Sequence, residues 1–392
     1  MVFQAPEAGT AAAPAVGSYV PDEILVAFVP GADPERIARG VGARVHGLID
    51  GINVHILKVT PQSAEAAIAA LSRNPQVEFA ERNGIASVVL DPNDPYDNTS
   101  CYNSSKHGCV TQWAWGKVGA YVAWDLTTGS STIKVAVVDT GVDNSHLDLP
   151  TIAAQQDFVN NDPFAEDDNG HGTHVAGTIG ALTDNKEGVA GANWAVSLLA
   201  AKVLSASGSG SYSAVASGIT WSADNGARAI NLSLGGSIPS NTLKRAVDYA
   251  WNKGAVLACA AGNSGTKQKM YPAAYANCIA VAATDENDAK ASFSNWGADW
   301  VDVAAPGVKI LSTMPNSAVY LTTQYGYKTD YDSLNGTSMA TPHVAGLAGL
   351  VWARGCGSAS CVRGKIESTA TAISGTGTYW RYGRVNYSAA VQ

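Results

Sequence analysis

Six short segments, at 134–140, 197–204, 227–234, 255–261, 278–284 and 301–305, are almost continuously apolar, and stretches with helical periodicity separate several of them. A strand with one face in water alternates apolar and polar residues. A strand apolar throughout needs cover on both faces, which is the condition of parallel strands sandwiched between helices. The helical patterns at 213–225 and 243–253 supply that cover, so the reading is a three-layer α/β domain. The 392 residues leave room for a second domain, and 46% hydrophobic residues provide for a sizeable core. Charged residues make up 15%, against the usual ~25%, and 40 glycines beside abundant Ala and Ser describe a compact scaffold of tight turns. A net charge of -8 without a Lys/Arg run disfavours nucleic acid and membrane surfaces as partners. No apolar run approaches the ~18 residues of a membrane span.

Residues 1–18 are rich in Ala, Pro and Gly and read as a flexible tail. They contain neither a basic n-region nor an apolar h-region, so an exported chain would have its signal peptide absent from this sequence. Beyond them, 23–29, 45–49, 54–59 and 77–80 read as strands. Asp33 followed by Pro34 opens one helix, and Ser63 is placed to cap a second that Asn74 and Pro75 stop. The order β-α-β-β-α-β predicts a small ferredoxin-like α+β domain over residues 19–88. A Pro- and Asp-rich linker then leads into a larger domain at 89–392.

The six cysteines include two local pairs. Cys101 and Cys109 bracket CYNSSKHGC, and Cys356 and Cys361 bracket CGSASC. Both read as disulfide staples of an oxidising compartment rather than as zinc ligands, for which CxxC and His spacings are missing. Cys259 and Cys278 lie in apolar strands; they are not paired here, buried free thiols being one reading and their state left open.

Three segments concentrate chemistry. VAVVDTGVD sets Asp139 at the end of a buried strand. NGHGTHVAG sets His171, and NGTSMATPHVAG sets Ser338, each at the start of a small-residue helix, with Pro342 taken to fall in the first turn. A serine hydroxyl is a weak nucleophile at neutral pH and needs an adjacent base, here His171, which an acid such as Asp139 would orient. AAGNSG follows another strand and offers Asn263 as an amide donor to a developing oxyanion, beside the helix N-terminus at Ser338. Any one segment is ambiguous. DTG also marks aspartic proteases, which need two such carboxylates; HGTH resembles a metal pair without a third ligand; GTS is common in turns. All four in the order Asp, His, Asn, Ser are far more specific.

Together these segments resemble the subtilisin superfamily of serine proteases, whose triad has this chain order. The resemblance runs from about Asp94 to the C-terminus and is nearest the thermitase branch, on DPNDPY, YAWNKGAV and SGTGTYW…GRVN. Residues 19–88 resemble the propeptides of the same enzymes. The resemblance implies a subtilisin-like parallel sheet with helices on both faces, and Asp139, His171 and Ser338 as triad with Asn263 in the oxyanion hole. It implies that Gly208, Ser209, Gly210 and Leu234, Gly235, Gly236 belong to two edges that pair with an extended substrate. Tyr212 and Val215 would line the pocket for the fourth residue before the cut. Ala261 and Gly262 would wall the primary pocket and Met270 its floor, favouring medium apolar or aromatic residues.

For Ca²⁺, the resemblance implies a first site from the side chains of Asp94, Asp148 and Asn185 and the backbone oxygens of Leu182, Glu187 and Val189. A second would use Asp157 and Asp162, with Asn160 where the family has Asp. CYNSSKHGC and the Tyr-rich segment 318–336 depart from the family pattern. They read as surface ornaments in preference to a role in substrate selection, the latter segment as a hairpin around Gly326. The expectation is a secreted, monomeric, calcium-dependent serine endopeptidase of broad specificity, acting on protein and peptide substrates. It would be made as a zymogen that cuts itself between about Ala86 and Leu90, with its own propeptide as intramolecular inhibitor. A peptide-binding module without catalysis and an esterase using the same triad are the alternatives.

Overall fold

The computed structural model describes residues 19–49, 52–84, 92–97 and 100–392. The expected tail at 1–18 and the expected processing segment at 86–90 lie outside the described residues. The chain divides into two compact units, residues 1–89 and 90–392.

In the first unit, β1 (Tyr19–Phe28), α1 (Pro34–Gly40), β2 (Arg44–Ile49), β3 (Val54–Lys58), α2 (Ala64–Leu71) and β4 (Val77–Gly84) follow one another. The sheet order is β2-β3-β1-β4 with antiparallel neighbours, the ferredoxin-like arrangement. Asp33 caps α1 by accepting the Arg36 N–H at 3.1 Å. Ser63 does not cap α2: its hydroxyl donates instead to the Thr60 carbonyl, closing a 3-10 turn over Pro61–Ser63. Ile24, Val26, Phe28, Ile37, Leu57 and Leu71 form the core.

The second unit begins with β5 (Tyr102–Ser104) and β6 (Gly108–Val110), a hairpin closed by the Cys101–Cys109 disulfide. Then come α3 (Ala114–Val118), α4 (Ala120–Trp124), β7 (Lys134–Asp139), β8 (Ala154–Asp157), α5 (His171–Gly180) and β9 (Ser197–Lys202). After these follow α6 (Tyr212–Asp224), β10 (Ala227–Leu232), α7 (Asn241–Asn252), β11 (Val256–Ala260), β12 (Cys278–Thr284), β13 (Val303–Pro306) and β14 (Ile310–Thr313). The chain ends with α8 (Tyr320–Tyr325), β15 (Tyr331–Leu334), α9 (Thr337–Ala353), α10 (Ala359–Ser368), β16 (Gly383–Arg384) and α11 (Tyr387–Ala390).

Eight of these strands form one parallel sheet in the order β16-β13-β12-β11-β10-β7-β9-β8. Successive residues of a strand enter opposite layers. Val135 and Val137 join one core and Ala136 and Val138 the other; Leu198 and Ala200 part from Leu199 and Ala201 in the same way. This two-sided burial is why the strands read as unbroken apolar runs. The edge strands β8, with the sequence AQQD, and the two-residue β16 lack that signal, and sequence reading missed both. β8 and β9 lie on one side of β7 and β10 to β16 on the other, so the strand order reverses at β7, and the crevice at its carboxyl end is where an α/β sheet presents ligands.

Three sequence expectations need correction. Cys259 and Cys278 are bonded to each other across adjacent strands, so with Cys101–Cys109 and Cys356–Cys361 no cysteine is free. Segment 318–336 is no hairpin around Gly326. It forms α8, terminated by Gly326 in the left-handed region (φ 68°), and then β15 pairs with β14. Pro342 sits in the second turn of α9 rather than its first. Unfolding the chain without reductant and alkylating it should modify no cysteine, and six after reduction; two modified thiols before reduction would restore the unpaired reading of Cys259 and Cys278.

Candidate active site

Asp139 closes β7 and is fully buried. Its Oδ1 accepts the Thr140 N–H at 2.8 Å and lies 2.7 Å from His171 Nδ1. Burial alone would lower the His171 pKa. The charge and hydrogen bond of Asp139, helped by Asp167, outweigh it and leave the pKa above the ordinary histidine value.

The alignment of this pair rests on Asp167, which sequence reading did not single out. Its Oδ1 accepts the Thr140 hydroxyl (2.8 Å) and the N–H groups of Asn169 (3.1 Å) and Gly170 (2.8 Å). Its Oδ2 accepts the N–H (2.9 Å) and hydroxyl (2.6 Å) of Thr173. The Thr140 hydroxyl accepts in turn from Gly172 N–H at 2.9 Å, so one buried carboxylate ties the end of β7 to the first turn of α5. Burial pushes the Asp167 pKa up while these donors hold it down. On the other side of Thr140, the buried Lys202 ammonium donates to the Thr140 (2.6 Å) and Leu204 (3.0 Å) carbonyls and pairs with Asp168 at 2.5 Å.

Ser338 is the second residue of α9, beside the end of β10. Pro342 has no N–H to give the Ser338 carbonyl, which accepts the Ser233 hydroxyl at 2.7 Å instead. The Ser338 hydroxyl donates to the Ser233 carbonyl at 3.1 Å, making the clamp reciprocal. Asn263 follows β11, and its Oδ1 accepts both the N–H and the hydroxyl of Thr337 at 2.9 Å. That fixes the amide with Nδ2 turned toward Gly336. A Cβ on Gly336 would lie 3.5 Å from Asn263 Nδ2 and 3.5 Å from Ser338 N, so two donors border one small space that only glycine leaves open.

His171 and Ser338 line one cleft of about 640 Å³. Gly208, Ser209, Gly210, Tyr212 and Val215 border it on one edge, and Leu234, Gly235 and Gly236 on the other, as expected. Ala261, Gly262 and Met270 do not line it. Ala261 is buried, and Met270 packs between Gly235 and Gly262, where a Cβ on Gly262 would lie 2.6 Å from Met270 Cγ. The lining also includes residues that sequence reading passed over: Thr140, Asn169 and Leu204, and Tyr320, Leu321 and Tyr325 from the Tyr-rich segment. Only the departure of that segment from the family pattern hinted at them.

Of the expected calcium ligands, Asp94, Asp148 and Asn185 come together. Asp94 accepts the N–H groups of Asp184 (2.9 Å) and Asn185 (3.4 Å), and the Asn185 amide meets Asp148 Oδ1 at 2.9 Å. Asp148 also accepts the Val189 N–H at 2.9 Å, and its N-terminal neighbourhood is joined to the same loop by Leu182 N–H donating to the Asp148 carbonyl. Asp94 and Asp148 are both fully buried. Burial, with repulsion from Asp94, pushes the Asp148 pKa up to about 7, and burial raises that of Asp94 too. Among the described residues no three His, Cys, Asp or Glu side chains group as metal ligands. A cation here would rest on two carboxylates, an amide and backbone oxygens, a hard-ligand set that fits Ca²⁺. At the second expected site the carboxylates serve their own loop: Asp157 accepts from Val159 and Asn160, and Asp162 from Phe164.

The Subtilase family profile matches residues 130–384, and that of the Fervidolysin N-terminal prodomain matches residues 5–83. Thermitase of Thermoactinomyces vulgaris is 51% identical over 302 residues, 77% of this chain and 99% of the relative. A thermophilic serine proteinase of Bacillus sp. (strain AK1) is 43% identical over 381 residues, 96% of this chain and 88% of the relative. Among solved structures, a protease from Pseudoalteromonas arctica PAMC 21717 superposes with a TM-score of 0.67 at 30% identity, covering 77% of this chain and 99% of that one. The chain belongs to the subtilase family: it is a subtilisin-like serine endopeptidase preceded by a prodomain.

Replacing Asp167 by Ala removes the acceptor of five donors in a buried setting. It should destabilise the second unit by roughly 3 kcal/mol or more. Denaturant unfolding measures this, and a loss under 1 kcal/mol would show that the clamp is not needed.

Proposed function

We propose that this protein is a secreted, calcium-stabilised endopeptidase of broad specificity, made as a self-processing zymogen, with Asp139, His171 and Ser338 as its triad. The observation that carries the reading is the 2.7 Å Asp139–His171 pair opening on the same cleft as Ser338. In the mechanism, neutral His171 takes the proton from Ser338 Oγ as that oxygen attacks the substrate carbonyl carbon. The hydroxyl first leaves the Ser233 carbonyl, its partner at rest. His171 Nδ1–H donates to Asp139, which stabilises the imidazolium and holds the tautomer. The oxyanion takes hydrogen bonds from Ser338 N–H and Asn263 Nδ2. His171 then protonates the leaving amine, and a water repeats the cycle on the acyl-enzyme. Since the His171 pKa is raised, its base form is lost on acidification at a pH above the ordinary histidine range.

Broad specificity follows from a substrate held by backbone pairing along Gly208–Gly210 on one side and Ser233–Gly235 on the other. In the primary pocket Met270, between Gly235 and Gly262, favours medium apolar or aromatic side chains over longer ones. Residues 19–88, of which 19–83 fall in the prodomain match, would assist folding of the slow parallel-sheet unit and then occupy its cleft until cut. Three disulfides support an oxidising, extracellular setting. No helix among the described residues is long and apolar enough to cross a membrane.

Calcium would be held by Asp94, Asp148, Asn185 and the carbonyl oxygens of Leu182, Glu187 and Val189. When bound it supplies positive charge to two buried carboxylates, fixing the segment around Asp94 to the loop after α5. Asp157 and Asp162, already committed to local turns, would make a weaker site.

Purified protein should cleave casein and lose its first ~86–90 residues on incubation, as the position of the unit boundary suggests, while Ser338→Ala stays intact and inert by mass spectrometry. Processing of Ser338→Ala at that position would sink self-cleavage, and failure of the wild type to react with a fluorophosphonate would sink the triad. Chelation of calcium should lower the unfolding midpoint by roughly 5–10 °C, and Asp148→Ala should abolish the difference between calcium and chelator. Equal midpoints for the wild type in both conditions would remove calcium from the reading.

A further inference from the structure

We propose that the Tyr-rich segment is a specificity wall: Tyr320, Leu321 and Tyr325 form an aromatic side of the cleft that selects the substrate residue immediately before the acyl residue. The proposal rests on the triad reading above. All three side chains line the cleft that holds His171 and Ser338, and the rings of Tyr320 and Tyr325 meet edge to face at 6.0 Å.

The wall stands at a defined place. Tyr320 N–H donates to the Asp168 carbonyl at 3.0 Å and Leu321 N–H to the Asn169 carbonyl at 2.9 Å, so the start of α8 is bonded to the loop two and three residues before His171. A substrate running between the two glycine-rich edges alternates its side chains. With the acyl residue directed at the primary pocket proposed above, whose Met270 lies behind Gly235 and outside the cleft lining, the preceding residue points the other way, toward His171, Leu204 and the wall. The surfaces it meets are aromatic and aliphatic. The neighbouring carboxylate of Asp168 is paired with Lys202. The chemistry fits a branched aliphatic or aromatic side chain and offers an acidic one no Lys or Arg among the residues that line the cleft.

The wall is also braced, which an ornament does not require. Downstream of α8, the buried carboxylate of Asp332 accepts the hydroxyls of Ser104 (2.7 Å) and Ser105 (2.5 Å), the Ser105 N–H (3.0 Å) and the Lys328 N–H (2.9 Å). His107 Nδ1 meets the Ser333 hydroxyl at 2.6 Å, and Lys328 donates to the Asn103 carbonyl. Apart from the Lys328 N–H, which lies in the same segment as Asp332, these contacts are made with the loop closed by Cys101–Cys109. The two segments that depart from the family pattern are therefore joined: a disulfide-closed hairpin holds Lys328, Asp332 and Ser333, the stretch that follows the helix facing the cleft.

The test uses the purified protein as produced and internally quenched peptides varied at one position at a time. In the wild type, kcat/KM should rise about 10-fold or more when the residue before the acyl residue changes from Asp to Leu or Phe, the scale of a hydrophobic pocket's discrimination. Tyr320→Ala should cut that ratio about five- to tenfold while the preference at the acyl residue itself persists. Tyr325→Lys is a second variant, since Tyr325 is 55% exposed and its replacement leaves the core alone. A ratio unchanged in both variants overturns the proposal, as does a change confined to another peptide position. Fluorophosphonate labelling of the wild type separates the two levels. Labelling without selectivity at this position removes the wall alone, whereas absence of labelling removes the triad reading and the wall with it.

Discussion

Asp167 is buried, and its carboxylate joins the residue after β7 to the first turn of α5. Thr140 continues β7 immediately after Asp139, and Gly170 and Thr173 flank His171 at the opening of α5. A charged acceptor in a buried setting makes strong hydrogen bonds when satisfied and is costly when not. The 2.7 Å Asp139–His171 contact is therefore a consequence of packing around a third residue. Lys202 secures the same turn from β9 by bonding the Thr140 carbonyl, so two buried charges of opposite sign hold one strand end in place.

The serine side of the cleft is built by a different device. Pro342 removes one helix hydrogen bond from α9, and the freed Ser338 carbonyl is used by Ser233, while Ser338 in turn bonds the Ser233 carbonyl. The strand that lines one edge of the cleft is thus locked to the helix that carries the candidate nucleophile. Asn263, anchored through Thr337 of the same helix turn, keeps its amide nitrogen toward the space beside Ser338. Strand ends supply position, helix starts supply N–H groups, and short polar side chains between them remove the remaining freedom.

Much of the fold was legible because its physics is local. Interior strands flanked on both faces need unbroken apolar runs, and β7, β9, β10, β11, β12 and β13 have them. The edge strands β8 and β16 are wetted or very short, carry no such run, and were invisible. Cys259 and Cys278 could not be paired from the sequence for a related reason: an apolar run states that a cysteine is buried, but not which strand lies next to it. Segment 318–336 misled in the opposite sense, since alternating aromatics around Gly326 imitate a hairpin, while Gly326 acts as the left-handed terminator of α8.

What the sequence determined by itself was the set of candidate reacting groups and the class of sheet that mounts them. Asp139, His171, Asn263 and Ser338 occur in motifs whose residue types are dictated by the chemistry, and strand burial is written into consecutive residues. Only the tertiary structure decided which side chains hold those groups still and which face the cleft. Asp167 lies four residues before His171 but acts through Thr140, 27 positions away, and Asp332 meets Ser104 across 228. Contacts of that kind depend on how distant segments pack, and neither periodicity nor motif encodes them.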